Sequence, residues 1–297
     1  MLHFPVLLEE SLEFLVQKKD GIYIDCTYGR GGHTRAILDR ISSEGHLTSL
    51  DKDPDAFIDA SNINNKNFTA KHNSFNKLES YFEKDSVDGI LFDLGTCSTH
   101  FDDETRGFSF RHDGPLDMRF NTLKGFPLSD WINKADRNEI MDILYKYGDE
   151  KHAKIITDSI LKFREKKLIE TTIQLAQIIE EIYPDKRIKI HPATKSFQAF
   201  RIFINNELEE LKEGLKQAST IIKKDAVIVI ISFHSLEDNI VKNFFRPEIK
   251  NYPKDIPLNT IEHKEFSCIA KKIRPSLEEV DRNKRSRSAI MRVFKKI

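Results

Sequence analysis

The sequence predicts an α/β fold: a doubly wound, mostly parallel sheet interrupted by a helical insertion. Three observations carry that reading. Short β-rich runs alternate with helical stretches through the first third, about 130 residues separate the fourth strand from the fifth, and the 297-residue chain exceeds one ordinary domain. GIYIDCT (21–27) reads as a buried strand, residues 34–41 as the following helix, and HLTSLDKD (46–53) as the second strand. NFTAKHNSF (67–75) and VDGILFDLG (87–95) supply the third and fourth, and AVIVIISF (226–233) is the next buried strand. A parallel crossover needs only about a dozen residues or a few more, so the long interval holds an insertion.

Helical signals fill that interval. Asp136 and Glu139 have capping-box spacing ahead of Ile140, Ile143, Leu144 and Tyr147, with Gly148 to end the helix. Thr171 and Gln174 repeat the pattern before Leu175, Ile178, Ile179 and Ile182, and Pro184 stops it. The stretch HPATKSFQAFRIFINNEL (191–208) reads as a two-faced helix whose apolar stripe, Phe197, Phe200, Ile204, Leu208, Leu211 and Leu215, runs on past it. Lys195, Gln198, Arg201 and Asn205 share another face, and such amides and cations suit base edges and phosphates. A last β-like run, 288–294, is expected as an antiparallel edge of the sheet.

Charged residues at 32% and hydrophobic residues at 39% suit a soluble, charge-coated enzyme and argue against a membrane protein or a disordered tail. The longest aliphatic run, 226–231, is far shorter than the roughly 18 residues needed to span a bilayer. No basic segment precedes the first apolar residues, and Glu9 and Glu10 interrupt them, so no signal peptide is read and a cytoplasmic location is expected. Cys26, Cys97 and Cys268 are too few and scattered for a disulfide framework or a zinc site, and no metal is implied. The 47 basic and 47 acidic residues are unevenly placed: residues 264–297 carry 11 Lys or Arg against four Asp or Glu. That net excess of seven marks either a polyanion contact or a solvated tail.

The first strand delivers Asp25 and then YGRGGH (28–33) into a helix. A dinucleotide turn wants G-x-G-x-x-G, but Thr34 occupies the third glycine position and the pattern is G-x-G-G. That turn suits S-adenosylmethionine, which has no pyrophosphate to cradle. Asp51, twenty residues past Gly31, ends the second strand where an acidic side chain can accept hydrogen bonds from both ribose hydroxyls. Phe75 ends the third strand, where it can lie against an adenine face, and Asp93 ends the fourth. These groups converge on one crevice at the carboxyl ends of the strands; the bland alternatives are tight-turn glycines, a capping Asp and a core Phe. His234, after the fifth strand, shares that edge, where a neutral imidazole can assist proton loss or simply satisfy local backbone groups.

The segment DLGTCSTHFDDETRGFSFRHDGPLDMR (93–119) resembles the ribosomal RNA small subunit methyltransferase H family. Those enzymes use S-adenosylmethionine to methylate N4 of a cytidine in the decoding region of 16S rRNA. The likeness runs through HFPVLL (3–8), GRGGH (29–33), DKDPDA (51–56), HPATKSFQAFRIFINNELEEL (191–211), ISFHSLED (231–238) and RNKRSRSAIMR (282–292). It implies a class I methyltransferase, or Rossmann-like, sheet spanning 1–110 and 216–297, with a helical substrate-recognition domain at 111–215. It also implies cofactor contacts at Gly31, Gly32, His33, Asp51, Phe75, Asp93 and His100, and the small ribosomal subunit as partner, with a homodimer allowed and no membrane. Asp93 and His234 are the expected catalytic residues. The chain departs from the family pattern at DLGTCSTH, where members often read DLGVSSPQ, so His100 stands for Gln and Cys97 for Ser. The rivals are a nicotinamide-dependent dehydrogenase, a non-catalytic RNA-binding assembly factor, and a cytosine-5 methyltransferase using Cys97 as nucleophile.

Overall fold

Runs of aliphatic and β-branched residues covered on both faces build the sheet. In a computed structural model describing residues 5–183, 191–246 and 265–297, five strands run parallel: Ile22–Asp25 (β1), His46–Asp51 (β2), Phe68–His72 (β3), Val87–Asp93 (β4) and Ile222–Ser232 (β5). Phe266–Ile273 (β6) and Ile290–Lys296 (β7) complete the order β3-β2-β1-β4-β5-β7-β6, with β7 antiparallel to both neighbours. The α/β class expected from the sequence is therefore observed.

The position of the last strand is a correction. The run expected as an edge is interior, because β6 hydrogen-bonds to its outer side. Side chains alternate across the sheet with period two. Ile24, Leu50, Ile90, Phe92, Ile228 and Ile230 join one buried cluster, and Tyr23, Leu47, Leu91, Val227, Val229 and Ile231 join another.

The chain divides into a sheet unit, Met1–Gly95 with Leu208–Ile297, and a helical unit, Thr96–Glu207. These divisions differ from the expected 110/111 and 215/216. Phe101, Phe108 and Phe110 pack on the helical core, which draws the first boundary back. The apolar stripe expected on one helix from 191 is carried by two, Ala193–Ile204 and Glu207–Ile221, with Asn206 between them at φ 51°. Asparagine tolerates that left-handed conformation better than most residues. Phe197 and Phe200 are buried in the helical core, whereas Leu211 and Leu215 are buried under the sheet.

Within the helical unit the caps form as expected. Glu139 accepts from the Asp136 N–H at 3.0 Å, starting Arg137–Gly148, and Thr171 caps Thr172–Glu180. Gly148 closes its helix where a Cβ would stand 3.0 Å from the Lys195 carbonyl, and Asp149 takes the left-handed turn. Pro184, the expected stop, and His3, Phe4 and Lys264 lie outside the described residues. Among the described residues no helix is long and apolar enough to cross a membrane.

Candidate active site

β1 ends at Asp25, and the chain turns through residues 27–31 into the helix Gly32–Leu38. Gly31 caps that helix at φ 70°, and a Cβ there would meet the Tyr28 ring at 2.7 Å, so only glycine fits. Tyr28 is itself buried and donates its hydroxyl to Asp59 at 2.6 Å. A Cβ on Gly32 would approach Pro5 to 2.9 Å, so this glycine lets the start of the chain pack against the loop.

The loop is tied to three strand ends. Gly29 donates its N–H to Asp51 Oδ2 at 2.8 Å, and the Asp53 N–H donates to Oδ1 at 2.9 Å. These two amides orient the Asp51 carboxylate at the end of β2. Asp25 is fully buried; it accepts from the Thr27 N–H at 3.1 Å and from Thr34 Oγ1 at 2.7 Å. Burial pushes its carboxyl up to about 6, against the pull of those bonds. Thr34 also lies 2.7 Å from the Ser49 hydroxyl on β2, and the Thr27 hydroxyl accepts from the Asp93 N–H at 2.8 Å.

His33 is buried, with Nε2 3.2 Å from the Val6 carbonyl and Nδ1 3.5 Å from Asp93 Oδ2. A carbonyl only accepts, so Nε2 carries the hydrogen and the opposite ring edge faces the carboxylate at the end of β4. The structure thus brings Gly31, Gly32, His33, Asp51 and Asp93 to one edge of the sheet unit.

Phe75 lies beyond β3, opening the short turn Phe75–Ser80. Its ring stands edge-on to Phe92 with centroids 5.4 Å apart, and a Cβ on Gly214 would come within 2.5 Å of it. His100 sits in Ser98–Asp102 of the helical unit, only 7% exposed, its ring 5.0 Å from Phe108 and 5.1 Å from Phe120. It is packed among aromatic rings rather than facing solvent from a loop.

His234 caps the helix Ser235–Phe244: Nδ1 accepts from the Glu237 N–H at 3.4 Å, and Glu237 Oε2 accepts from the Phe233 N–H at 2.8 Å. Nε2 lies 3.2 Å from Glu237 Oε1 without forming an aligned hydrogen bond. The local backbone task weighed for this histidine is observed.

Three of the four polar residues expected to face RNA, Lys195, Arg201 and Asn205, have partners within the protein. Asn205 is buried, accepting from the Phe120 N–H and donating to the Met118 carbonyl, both at 2.7 Å. Met118 takes φ 64°, rare for a long side chain, so Asn205 clamps a strained loop. Arg201 pairs bidentately with Glu207 at 2.8 and 3.0 Å, and Lys195 donates to the Asp149 carbonyl at 3.0 Å. Sequence reasoning reached Asp25 but assigned no partners to Thr27, Thr34 and Ser49; the available signal was polar residues inside otherwise buried runs.

The model of the MraW methylase family matches residues 1–297. A Ribosomal RNA small subunit methyltransferase H from Idiomarina loihiensis is 42% identical over 305 residues, covering 99% of this chain and 97% of that one. Among solved structures, an rRNA methylase from Streptococcus thermophilus covers 100% of this chain and 99% of its own, at 10% identity and a TM-score of 0.42. A Streptococcus mutans protein in complex with SAH covers 100% of both chains, at 11% identity and a TM-score of 0.40. The full-length family match and the 42% identity along nearly all of both sequences decide the assignment: the chain belongs to the MraW methylase family.

Proposed function

We propose that the chain transfers a methyl group from S-adenosylmethionine to N4 of a cytidine in the decoding region of 16S rRNA. One observation carries the cofactor half: Asp51 ends β2 with its carboxylate held by the Gly29 and Asp53 amides, beside left-handed Gly31. The tight left-handed turn at Gly31 and the acidic side chain of Asp51 at the end of β2 fit the methyl donor. Asp51 would hold the ribose hydroxyls, Gly31 and Gly32 would face the methionine part, and Phe75 would pack on the adenine. His100 is a further contact suggested by resemblance. The donor, when bound, supplies a sulfonium methyl group.

Methyl transfer is an in-line displacement, so positioning and exclusion of water supply most of the catalysis. The cytosine amine is delocalised into its ring and is a weak nucleophile. Asp93, its N–H fixed by Thr27 and its carboxylate set beside His33, would accept a hydrogen bond from N4, orient its attack and help carry away the proton it loses. His234 would act as a positioning residue, fixing the loop after β5 through its cap on Ser235–Phe244. The target base must leave its stack to reach such a site.

The dehydrogenase rival is disfavoured by Thr34, which stands where a third glycine would be and spends its hydroxyl on buried Asp25. The RNA-binding rival predicts no turnover. A single-turnover assay with labelled methyl donor and small ribosomal subunits, followed by mass spectrometry of the digested RNA, separates the readings. N4-methylcytidine is expected; no transfer, or 5-methylcytidine, overturns the proposal.

A further inference from the structure

The connection from β6 to β7 carries a concentration of charge that the candidate site does not use. Its position follows from strand register. Ile290, at the start of β7, pairs with Ser232, the last residue of β5, and Ile273, the last residue of β6, pairs with Met291. Both ends of the connection therefore lie at the carboxyl edge of the parallel strands, the edge where Asp51 and Asp93 end β2 and β4.

The connection is the helix Leu277–Arg282 followed by the turn Lys284–Ser288. Arg282, Lys284, Arg285 and Arg287 are all exposed, and no acidic residue interrupts 282–289. The acids before them are Glu278 and Asp281, also exposed, and Glu279, which accepts from the Leu7 N–H at 2.9 Å. The turn is anchored from beneath: the Asn283 side chain accepts from the Arg285 N–H at 3.1 Å, and the fully buried Ser286 donates to the Asn283 carbonyl at 2.7 Å. Ala289 is buried as well. Four exposed cations are thus concentrated within six residues on a short, fixed turn, a charge density that suits a polyanion. A loosely solvated tail would not need this anchoring.

We infer that the 282–287 turn binds the phosphodiester backbone of RNA at the rim of the candidate active site, beside the nucleotide whose base enters it. The inference rests on the proposed RNA substrate and not on which atom is methylated. Phosphate contacts of this kind set register and leave base identity to be read inside the site.

The test is the salt dependence of binding to a single-stranded RNA oligonucleotide of decoding-region sequence. For the variant Lys284→Gln/Arg285→Gln/Arg287→Gln, the slope of log K against log salt should be shallower by about 2, since each neutralised phosphate contact contributes roughly 0.7 on single strands. The charge-keeping variant Lys284→Arg/Arg285→Lys/Arg287→Lys should retain the parent slope. Should the neutral triple variant fail to fold, Lys284→Gln and Arg287→Gln singly should each lower the slope by about 0.7. An unchanged slope in folded neutral variants overturns the inference. So does equal competition by poly-glutamate at matched charge, which would make the turn a site for acidic protein. S-adenosylmethionine affinity, measured on the same variants, should stay at the parent value. A shallower slope in a chain that transfers no methyl group would sink the proposed reaction and leave this surface standing; normal transfer with an unchanged slope would do the reverse.

Discussion

β4 begins and ends with carboxylates handled in opposite ways. At its amino end Asp88 is buried and receives Lys223 Nζ at 2.7 Å, the Ile22 N–H at 3.0 Å and Lys18 Nζ at 3.1 Å. Burial raises its carboxyl, but the bonds from Lys223, Ile22 and Lys18 outweigh that and hold it below the ordinary range. At the carboxyl edge, Asp25 is held by an amide and a hydroxyl and Asp51 by two amides, while the Asp93 N–H is tied to Thr27. Ammonium partners neutralise a carboxylate and finish its work. Amides and hydroxyls orient one without supplying a countercharge. One edge of the sheet holds its carboxylate with lysines, the other with amides and hydroxyls.

The largest expected effect that sharpens this contrast is at Asp25. Its folded-state carboxyl, pushed up to about 6, binds a proton more tightly than the unfolded chain does. Between the ordinary value near 3.8 and about 6 the folded state holds the extra proton, so this group makes stability fall as pH rises, by about 3 kcal/mol in all. Asp25→Asn should remove that component, and denaturant unfolding of parent and variant from pH 4 to pH 7 should show the two curves diverging over this window. Parallel curves would mean that Asp25 is not held as described.

Next is Asp51→Ala, expected to weaken S-adenosylmethionine binding by about 1.5 to 3 kcal/mol, the range for a lost charged hydrogen bond. Calorimetry on the folded variant measures it, and unchanged affinity removes the ribose assignment. Asp88→Asn should cost about 1 kcal/mol of stability, because Lys18 and Lys223 can turn to water while the Ile22 N–H keeps an acceptor. Cofactor affinity should not change; a tenfold loss would mean the two edges are coupled and would break the comparison.

The smallest effect is expected at Cys97. Its sulfur accepts a hydrogen bond from Thr99 Oγ1 at 3.3 Å, a role serine can take over. Cys97→Ser should keep most methyl transfer, with the product methylated on the exocyclic nitrogen. Abolished turnover in a folded, cofactor-binding variant, with 5-methylcytidine from the parent, would make the thiol a nucleophile.

The contrast also explains what could be read from the sequence. The β-strands with continuous apolar runs, the left-handed glycine turn and the spacing of Asp51 are local signals, and they were legible. The break at Asn206 was not, because Ile204, Leu208 and Leu211 keep helical spacing straight through it. β6 was missed because FSCIAKKI is exposed at four of its eight positions and has no clean alternation. At the site, Asp25 draws Thr27, Thr34 and Ser49 from a loop, a helix and a second strand, and no pattern along one element announces such a set. His234 was ambiguous because a capping imidazole and a proton-accepting one occupy the same place after a strand.

The interior place of β7 also constrains vectorial synthesis on the ribosome. β6 is translated before β7 yet lies beyond it in the sheet, so β6 has no neighbour to add to until β7 has been made. The helical unit, by contrast, is one continuous stretch, Thr96–Glu207, and its chain is complete while the second part of the sheet unit is still to come. A nascent chain stalled between β6 and β7 would carry a helical unit able to close its own core and a sheet with β5 exposed at its growing edge. That exposed strand is where a chaperone, or a mispaired second chain, would find its opening.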